Sequence, residues 1–233
     1  MKAVILAGGK GTRLKPYTTV IPKPLVPIGE RAIIDILITQ LAKCGVDDIT
    51  ICLNHFAEII KAYLGDGSKF NLKIDYSLEK EPLGTVAPIK LISDLPEDFL
   101  VMNGDLLTDL DFKKLFDKHL YMNSLLTISS YQRSTQIDFG VLELDQVNNK
   151  LTSFREKPKY SFNVSMGVYA MNRKVLDYIP VNTPFGFDNL LLALLQKKVP
   201  VNIYQYKGYW LDIGRPEDYE KANEDLDKLL SIL

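Results

Sequence analysis

The residues best equipped for chemistry gather near the N-terminus. The string Leu6-Ala7-Gly8-Gly9-Lys10-Gly11-Thr12-Arg13-Leu14 follows a short apolar run, and Pro22-Lys23-Pro24 comes close behind. Glycine permits tight backbone turns and lets a ligand approach the chain without a Cβ in the way. Consecutive amides in such a turn form a concave anion site suited to a phosphate chain. Arg13 adds a forked cation to this neighbourhood and Lys23 a point cation. The frame is not a Walker A loop, and in a dinucleotide fingerprint Leu14 would have to be glycine. A bare Gly-Gly-x-Gly is as compatible with an ordinary turn as with a phosphate loop.

Acidic residues form the second group. Asp105 follows the apolar run 99–102 and Asn103-Gly104, and Asp212 lies in Trp210-Leu211-Asp212-Ile213-Gly214. Two carboxylates ending distant strands suit Mg²⁺, which is bound by one or two acids plus substrate phosphates. Taken singly, each is more often a cap or turn residue. Asp109-Leu110-Asp111 has the form of a glycosyltransferase metal motif, and a helix N-cap explains it adequately. Arg155-Glu156-Lys157-Pro158 is charge-dense, and on its own reads as a solvated strand edge. The two histidines, His55 and His119, sit beside no serine elbow or cysteine nucleophile, which leaves acyl-transfer hydrolysis little support. Cys44 and Cys52 lack the spacing of a zinc or disulfide framework.

The elements that position these groups alternate between strand and helix patterns through the first half of the chain. That pattern predicts an α/β fold of three layers: a mostly parallel, Rossmann-like sheet with helices on both faces. Strands are expected over residues 1–6, 48–53, 72–78 and 99–102, with helices over 32–44, 55–64 and from 85 through 92. Ligands of such sheets bind beyond the carboxyl ends of the strands. The glycine loop, Asn54, the Glu79–Thr85 turn and Asp105 should therefore converge on one cleft. In the second half, helices are expected at 111–120, 187–195 and 216–230. Strands are expected at 125–131, 140–144, 150–155 and 164–171, the last followed by a helix. A hairpin of 201–206 with 209–213 is expected about Lys207-Gly208. With 233 residues and no linker, the chain reads as one domain over 1–233. A formal net charge of −1 argues against nucleic acid as partner. No long apolar run or signal segment points to a membrane, so a cytoplasmic protein is expected.

The whole string from Gly8 to Thr18, closed by Pro22-Lys23-Pro24-Leu25-Val26-Pro27, resembles the signature of the sugar-1-phosphate nucleotidylyltransferases, or NDP-sugar pyrophosphorylases. The resemblance implies NTP plus sugar 1-phosphate giving NDP-sugar plus pyrophosphate, with Arg13, Lys23 and Asp105 catalytic. It assigns the nucleotide to Leu6, Ala7, Gly8, Gly9, Gly11, Thr12, Arg13, Asn54, Glu79, Pro82, Gly84 and Thr85. Mg²⁺ falls to Asp105 and Asp212, and the sugar phosphate to Gly140, Glu156, Lys157, Ser165, Gly167 and Asp188. Ser165 stands where the family usually has Asn. The segment Glu79-Lys80-Glu81-Pro82-Leu83-Gly84-Thr85 is similar to mannose- and heptose-1-phosphate guanylyltransferases, implying GTP and a manno-configured sugar. Thymidylyl, uridylyl and cytidylyl transfer are the alternatives within the family. A glycosyltransferase using Asp109 and Asp111, or a catalytically silent nucleotide sensor, is the alternative outside it. The chain is expected to carry no left-handed β-helix domain, and a homodimer is compatible with the resemblance.

Overall fold

The computed structural model describes residues 1–226. Strand β1 (Lys2–Leu6) opens the chain. The short strands β2 (Pro27–Ile28) and β3 (Arg31–Ala32) follow, leading into helix α1 (Ile33–Lys43). Then come β4 (Asp48–Leu53), α2 (Ala57–Leu64), β5 (Lys73–Leu78), β6 (Asp98–Asn103), β7 (Leu106–Thr108) and α3 (Phe112–Tyr121). The second half comprises β8 (Leu126–Gln136), β9 (Val141–Asp145), β10 (Lys150–Arg155), β11 (Lys159–Asn172), α4 (Phe187–Gln196), β12 (Asn202–Tyr206), β13 (Trp210–Asp212) and α5 (Pro216–Glu224).

Seven strands make the main sheet in the order β12-β8-β11-β6-β1-β4-β5. All run parallel except β11, which is antiparallel to both of its neighbours. The centre of the sheet is buried on both faces, which is why β1, β4 and β6 read as near-continuous apolar runs. Alternate residues of β1 point to opposite layers. Ala3 and Ile5 pack with Ile34, Leu37 and Ile38 of α1, Ile60 of α2 and Phe112 of α3. Val4 packs with Ile89, Val175 and the α4 residues Phe187, Leu190 and Leu194. The three-layer expectation therefore holds. A smaller core of Leu14, Val26, Ile28, Ile33, Leu107, Leu211, Ile213 and Ala222 lies behind the glycine loop. It fastens β7, β13 and α5 to the segment carrying Lys23.

Several local expectations need correction. The helix expected through residue 92 is only a 3₁₀ turn, Ala87–Leu91. Pro82 and Pro88 lack amide donors, and Gly84 has φ +86°, so the segment cannot wind as an α-helix. The helix after β11 is likewise a 3₁₀ segment, Arg173–Tyr178. Strand β12 does not form a hairpin with β13. It pairs in parallel with β8, while β13 pairs with β7 in a separate ribbon. Asp109 organises that divergence by accepting hydrogen bonds from the Tyr206 hydroxyl and the Tyr209 amide. Strands β8 and β11 are longer than the sequence suggests. Beyond Tyr131 and Ser165 they pair only with each other, forming an arm tipped by the β9–β10 hairpin. Of the closing helix expected over 216–230, residues 227–230 lie outside the described residues.

Candidate active site

Parallel strands bring their carboxyl ends to one side of the sheet, and a cleft of about 510 Å³ opens there. Leu6 through Arg13 follow β1, Cys52 and Asn54 close β4, Glu79 follows β5, and Asn103-Gly104-Asp105 follow β6. The cleft also takes in Lys23, Pro82, Gly84 and Thr85. The convergence expected from strand polarity is thus what the chain does.

Loop geometry follows from hydrogen bonds at its two ends. The Ala7 amide donates to Cys52 O at 2.9 Å, and the Gly104 amide to Leu6 O at 3.0 Å. Gly11 has φ +62°, a region that favours glycine, and its carbonyl accepts from Thr18 Oγ1 at 2.7 Å. A Cβ on Gly11 would lie 3.2 Å from Lys23 Cβ, so the turn packs directly against the lysine. The amides of Gly8, Gly9, Lys10 and Gly11 have no acceptor among the described residues. A row of unpaired amides bordered by Arg13 and Lys23 is an anion cradle.

The two acids meet. Strand β13 lies antiparallel to β7, with Asp212 opposite Leu106, and the Ile213 amide donates to Asp105 O at 3.1 Å. Lys23 Nζ forms an ion pair with Asp105 Oδ2. Asp105 Oδ1 and Asp212 Oδ1 are both buried and accept no hydrogen bond among the described residues. Burial and the neighbouring Asp105 charge raise the pKa of Asp212, while Lys23 and Arg13 act in the opposite sense. Two orphaned carboxylate oxygens beside an anion cradle fit a hard divalent cation that completes its shell with phosphate oxygens and water. No cluster of three or more acidic, histidine or cysteine ligands exists among the described residues, so a metal held by protein groups alone is not what this site offers.

At the other end of the cleft, Glu79 sits under the segment 82–85. Its Oε2 accepts from the Leu83 amide at 2.9 Å, and burial raises its pKa. The base of this end is Cys52, whose thiol is pushed up to about 12 by burial and the Glu79 charge, so it stays protonated and is no nucleophile. Phe185 exchanges backbone hydrogen bonds with Leu83 and Val86, and Thr85 Oγ1 accepts from the Phe187 amide at 3.0 Å. The start of α4, with Asp188 in its first turn, is tied to the cleft by these bonds.

None of Gly140, Glu156, Lys157, Ser165, Gly167 and Asp188 lines this cleft. Gly140, Glu156 and Lys157 are exposed on the arm. Ser165 and Gly167 lie at its root, where the pairing of β11 with β8 shifts register between Ser165 and Tyr169. There the Ser165 hydroxyl lies 3.1 Å from the Tyr169 hydroxyl, and Gly167, at φ +71°, packs on the Asn103 side chain. Sequence reasoning missed Asn103, which lines the cleft beside Asp105 and touches the arm root. The Asn-Gly-Asp string ending β6 was the signal available. Lys10, Pro24, Pro88 and Gly214 also line the cleft without having been singled out.

The rival acidic pair is occupied structurally. Asp109 is held by Tyr206 and Tyr209, and Asp111 caps α3 by accepting from the Lys114 amide at 3.0 Å. His119 is buried between Thr127 and Asp98, and burial lowers its pKa; the His55 ring lies tilted against Phe56. Neither histidine lines the cleft. No helix of the described residues is long and apolar enough to cross a membrane.

Known proteins share sequence and fold with this chain over most of its length. Mannose-1-phosphate guanyltransferase of Saccharomyces cerevisiae is 35% identical over 227 residues, covering 94% of this chain and 63% of the relative. UTP–glucose-1-phosphate uridylyltransferase of Synechocystis is 32% identical over 242 residues, covering 95% of this chain and 62% of the relative. The chain therefore spans a little under two thirds of the length of these curated relatives. Among solved structures, HddC from Yersinia pseudotuberculosis, complexed with GMP-PN, is 33% identical with a TM-score of 0.73, covering 97% of this chain and 99% of that one. Residues 2–228 match the sequence pattern described as Nucleotidyl transferase, and it is to the nucleotidyl transferase family that this chain belongs.

Proposed function

We propose that this protein joins a nucleoside triphosphate to a sugar 1-phosphate, releasing pyrophosphate and forming an NDP-sugar. The observation that carries the reading is the meeting of the glycine loop, Lys23 and Asp105 in one cleft, with Asp212, itself outside the cleft lining, beside Asp105. A phosphate monoester has its second pKa near ~6, so the sugar phosphate is already largely anionic at neutral pH. Its oxygen attacks the α-phosphorus, the α–β bridging bond breaks, and pyrophosphate leaves with the electron pair. No general base is needed, which fits a cleft without histidine.

Positioning and charge neutralisation then do the work. The loop amides and Arg13 hold the departing β and γ phosphates, and Lys23 faces the α-phosphate as its charge builds. Asp105 and Asp212 would hold Mg²⁺, which supplies further neutralisation of the phosphate oxygens when bound. Lys157 on the arm meets the incoming sugar phosphate, and Glu156 a sugar hydroxyl. Glu79 is suited to guanine, whose Watson–Crick edge offers adjacent N–H donors to a carboxylate. Uracil and thymine present one donor between two carbonyl acceptors, which a carboxylate repels. The guanyltransferase relative and the GMP-PN complex of HddC support the same choice.

The test is a pyrophosphate-release screen of the common NTPs against a panel of sugar 1-phosphates with Mg²⁺. Turnover greatest with GTP and a manno-configured 1-phosphate is expected. Turnover with UTP or dTTP and glucose 1-phosphate instead would overturn the choice of base and sugar. No release with any pair would overturn the reaction.

A further inference from the structure

The ion pair between Lys23 and Asp105 places a catalytic cation on a metal-binding carboxylate. The Lys23 side chain is 11% exposed and that of Asp105 20%, so the contact lies within the protein and is poorly screened by salt. The backbone under Lys23 is fixed. It begins the 3₁₀ turn Lys23–Leu25, in which the Leu25 amide donates to Pro22 O at 2.8 Å and the Val26 amide to Lys23 O at 3.1 Å. Gly11 packs against its Cβ. Only the outer methylenes and the ammonium can change partner.

We propose that in the nucleotide-free cleft Lys23 stands in for the divalent cation on Asp105, excluding bare metal, so that metal and nucleotide must enter together. The inference rests on the proposed reaction for the identity of the incoming anion. Its physical basis is charge. Without nucleotide, two carboxylates face one another, with Lys23 paired to Asp105 and the Arg13 charge also acting on Asp212. A bare divalent ion arriving there meets an ammonium on one of its two ligands, and dislodging that ammonium breaks its ion pair with Asp105 with no phosphate to take its place. A triphosphate changes both conditions at once. It contributes oxygens that complete the metal's shell, and it gives Lys23 a phosphate to turn onto. The buried Oδ1 atoms of Asp105 and Asp212 accept no hydrogen bond among the described residues, so the one ion pair that Lys23 makes with Asp105 leaves the two carboxylates only part-satisfied, as a singly charged stand-in for a divalent ion would.

The probe is Mn²⁺ alone, followed by electron paramagnetic resonance and by its effect on the melting temperature, with no nucleotide present. Wild type should bind bare Mn²⁺ weakly and gain little in melting temperature. Lys23→Met should bind it about tenfold more tightly or better, because one opposing charge has been removed a few ångströms from the ion. It should also melt lower without Mn²⁺ and recover more on adding it. Lys23→Arg, which keeps the charge, should bind bare Mn²⁺ as weakly as wild type. Equal or weaker Mn²⁺ binding by Lys23→Met overturns the proposal. If that variant does not fold, tighter binding by Lys23→Arg than by wild type does so independently. Adding GTP should tighten Mn²⁺ binding to wild type far more than to Lys23→Met. Tighter bare-metal binding by Lys23→Met with no GTP effect on wild type would uphold the stand-in and overturn the nucleotide reading instead.

Discussion

The cleft and the arm are built by opposite means. Cleft residues sit at the ends of strands whose interiors are fully buried: Val4, Ile51 and Val101 lie in β1, β4 and β6 and have no exposed surface. Their loops are cross-tied by backbone hydrogen bonds, and Lys23 and Asp105 are paired and largely buried, while Lys10 and Arg13 at the rim stay exposed. Beyond Tyr131 and Ser165 the arm has only its own two strands and a hairpin, with Phe139 77% and Val147 90% exposed. Groups that neutralise phosphate charge must be placed before the substrate arrives, since preorganisation is what makes them effective. The groups proposed to meet the sugar phosphate, Lys157 and Glu156, stand on a less buried element. The difference teaches that substitutions in the cleft should act on turnover, and those in the arm on affinity.

The largest effect should come from Asp105→Ala, which removes a carboxylate proposed to hold Mg²⁺ and leaves the largely buried Lys23 without its ion-pair partner. We expect kcat to fall by about 10²–10³ or more, measured by pyrophosphate release, with the fold retained by circular dichroism. Next comes Lys157→Ala on the arm. Lys157 is exposed and makes no ion pair among the described residues, so its loss should leave the melting temperature unchanged. KM for the sugar 1-phosphate should rise by about 10–100-fold, the worth of a charge-assisted contact. A kcat loss matching that of Asp105→Ala would break the comparison.

Gly167→Ala tests the joint between the two regions. At φ +71° an alanine is strained, and its Cβ would lie 2.6 Å from Asn103 Nδ2. Stability should drop by about 1–3 kcal/mol in denaturant titration. Because Asn103 lines the cleft, kcat should fall as well. Unchanged kcat would show that the arm root and the cleft are mechanically separate.

The legibility of the sequence divides along the same line. β1, β4 and β6 were readable because burial on both faces leaves unbroken apolar runs, and strand polarity then placed the glycine loop, Asn54, Glu79 and Asp105 together. That Asp212 joins Asp105 was not readable from periodicity. It depends on β13 leaving β12 to pair with β7, and Lys207-Gly208 looked instead like a hairpin turn. The arm misled for a related reason. Its strands have no third neighbour and little buried surface, so β8 and β11 lack the apolar signal that marks strand ends, and both were expected too short. The segment 81–92 failed because helical spacing outweighed Pro82 and Pro88.

A smaller effect belongs to His119, which contacts Thr127 near the start of β8, the strand that runs on into the arm. Burial lowers the folded-state pKa of His119 below 6.5, although Asp98 opposes the shift. Between the folded and unfolded pKa values the unfolded chain binds more protons, so stability is present above pH ~6.5 and is lost as pH falls through that window. The slope cannot exceed about 1.4 kcal/mol per pH unit for one group. Denaturant titrations from pH 7.5 to 5 on wild type and His119→Gln should show that slope in wild type alone. An equal slope in both would assign it to carboxylates elsewhere.

The smallest effect is expected where the arm exposes its apolar face. In the β9–β10 hairpin Leu142 pairs with Phe154 and Leu144 with Leu151, and all four side chains are more than half exposed. A residue that leaves water only partly on folding returns only part of its transfer free energy. Phe154→Ser should therefore change stability by no more than about 0.5 kcal/mol, the range for exposed positions. Val101→Ala, in the fully buried strand that delivers Asp105, should cost several times as much through transfer and cavity terms together. If Phe154→Ser proves the costlier of the two in denaturant titration, the arm is buried in solution against something else. The contrast between a packed cleft and an open arm would then fall.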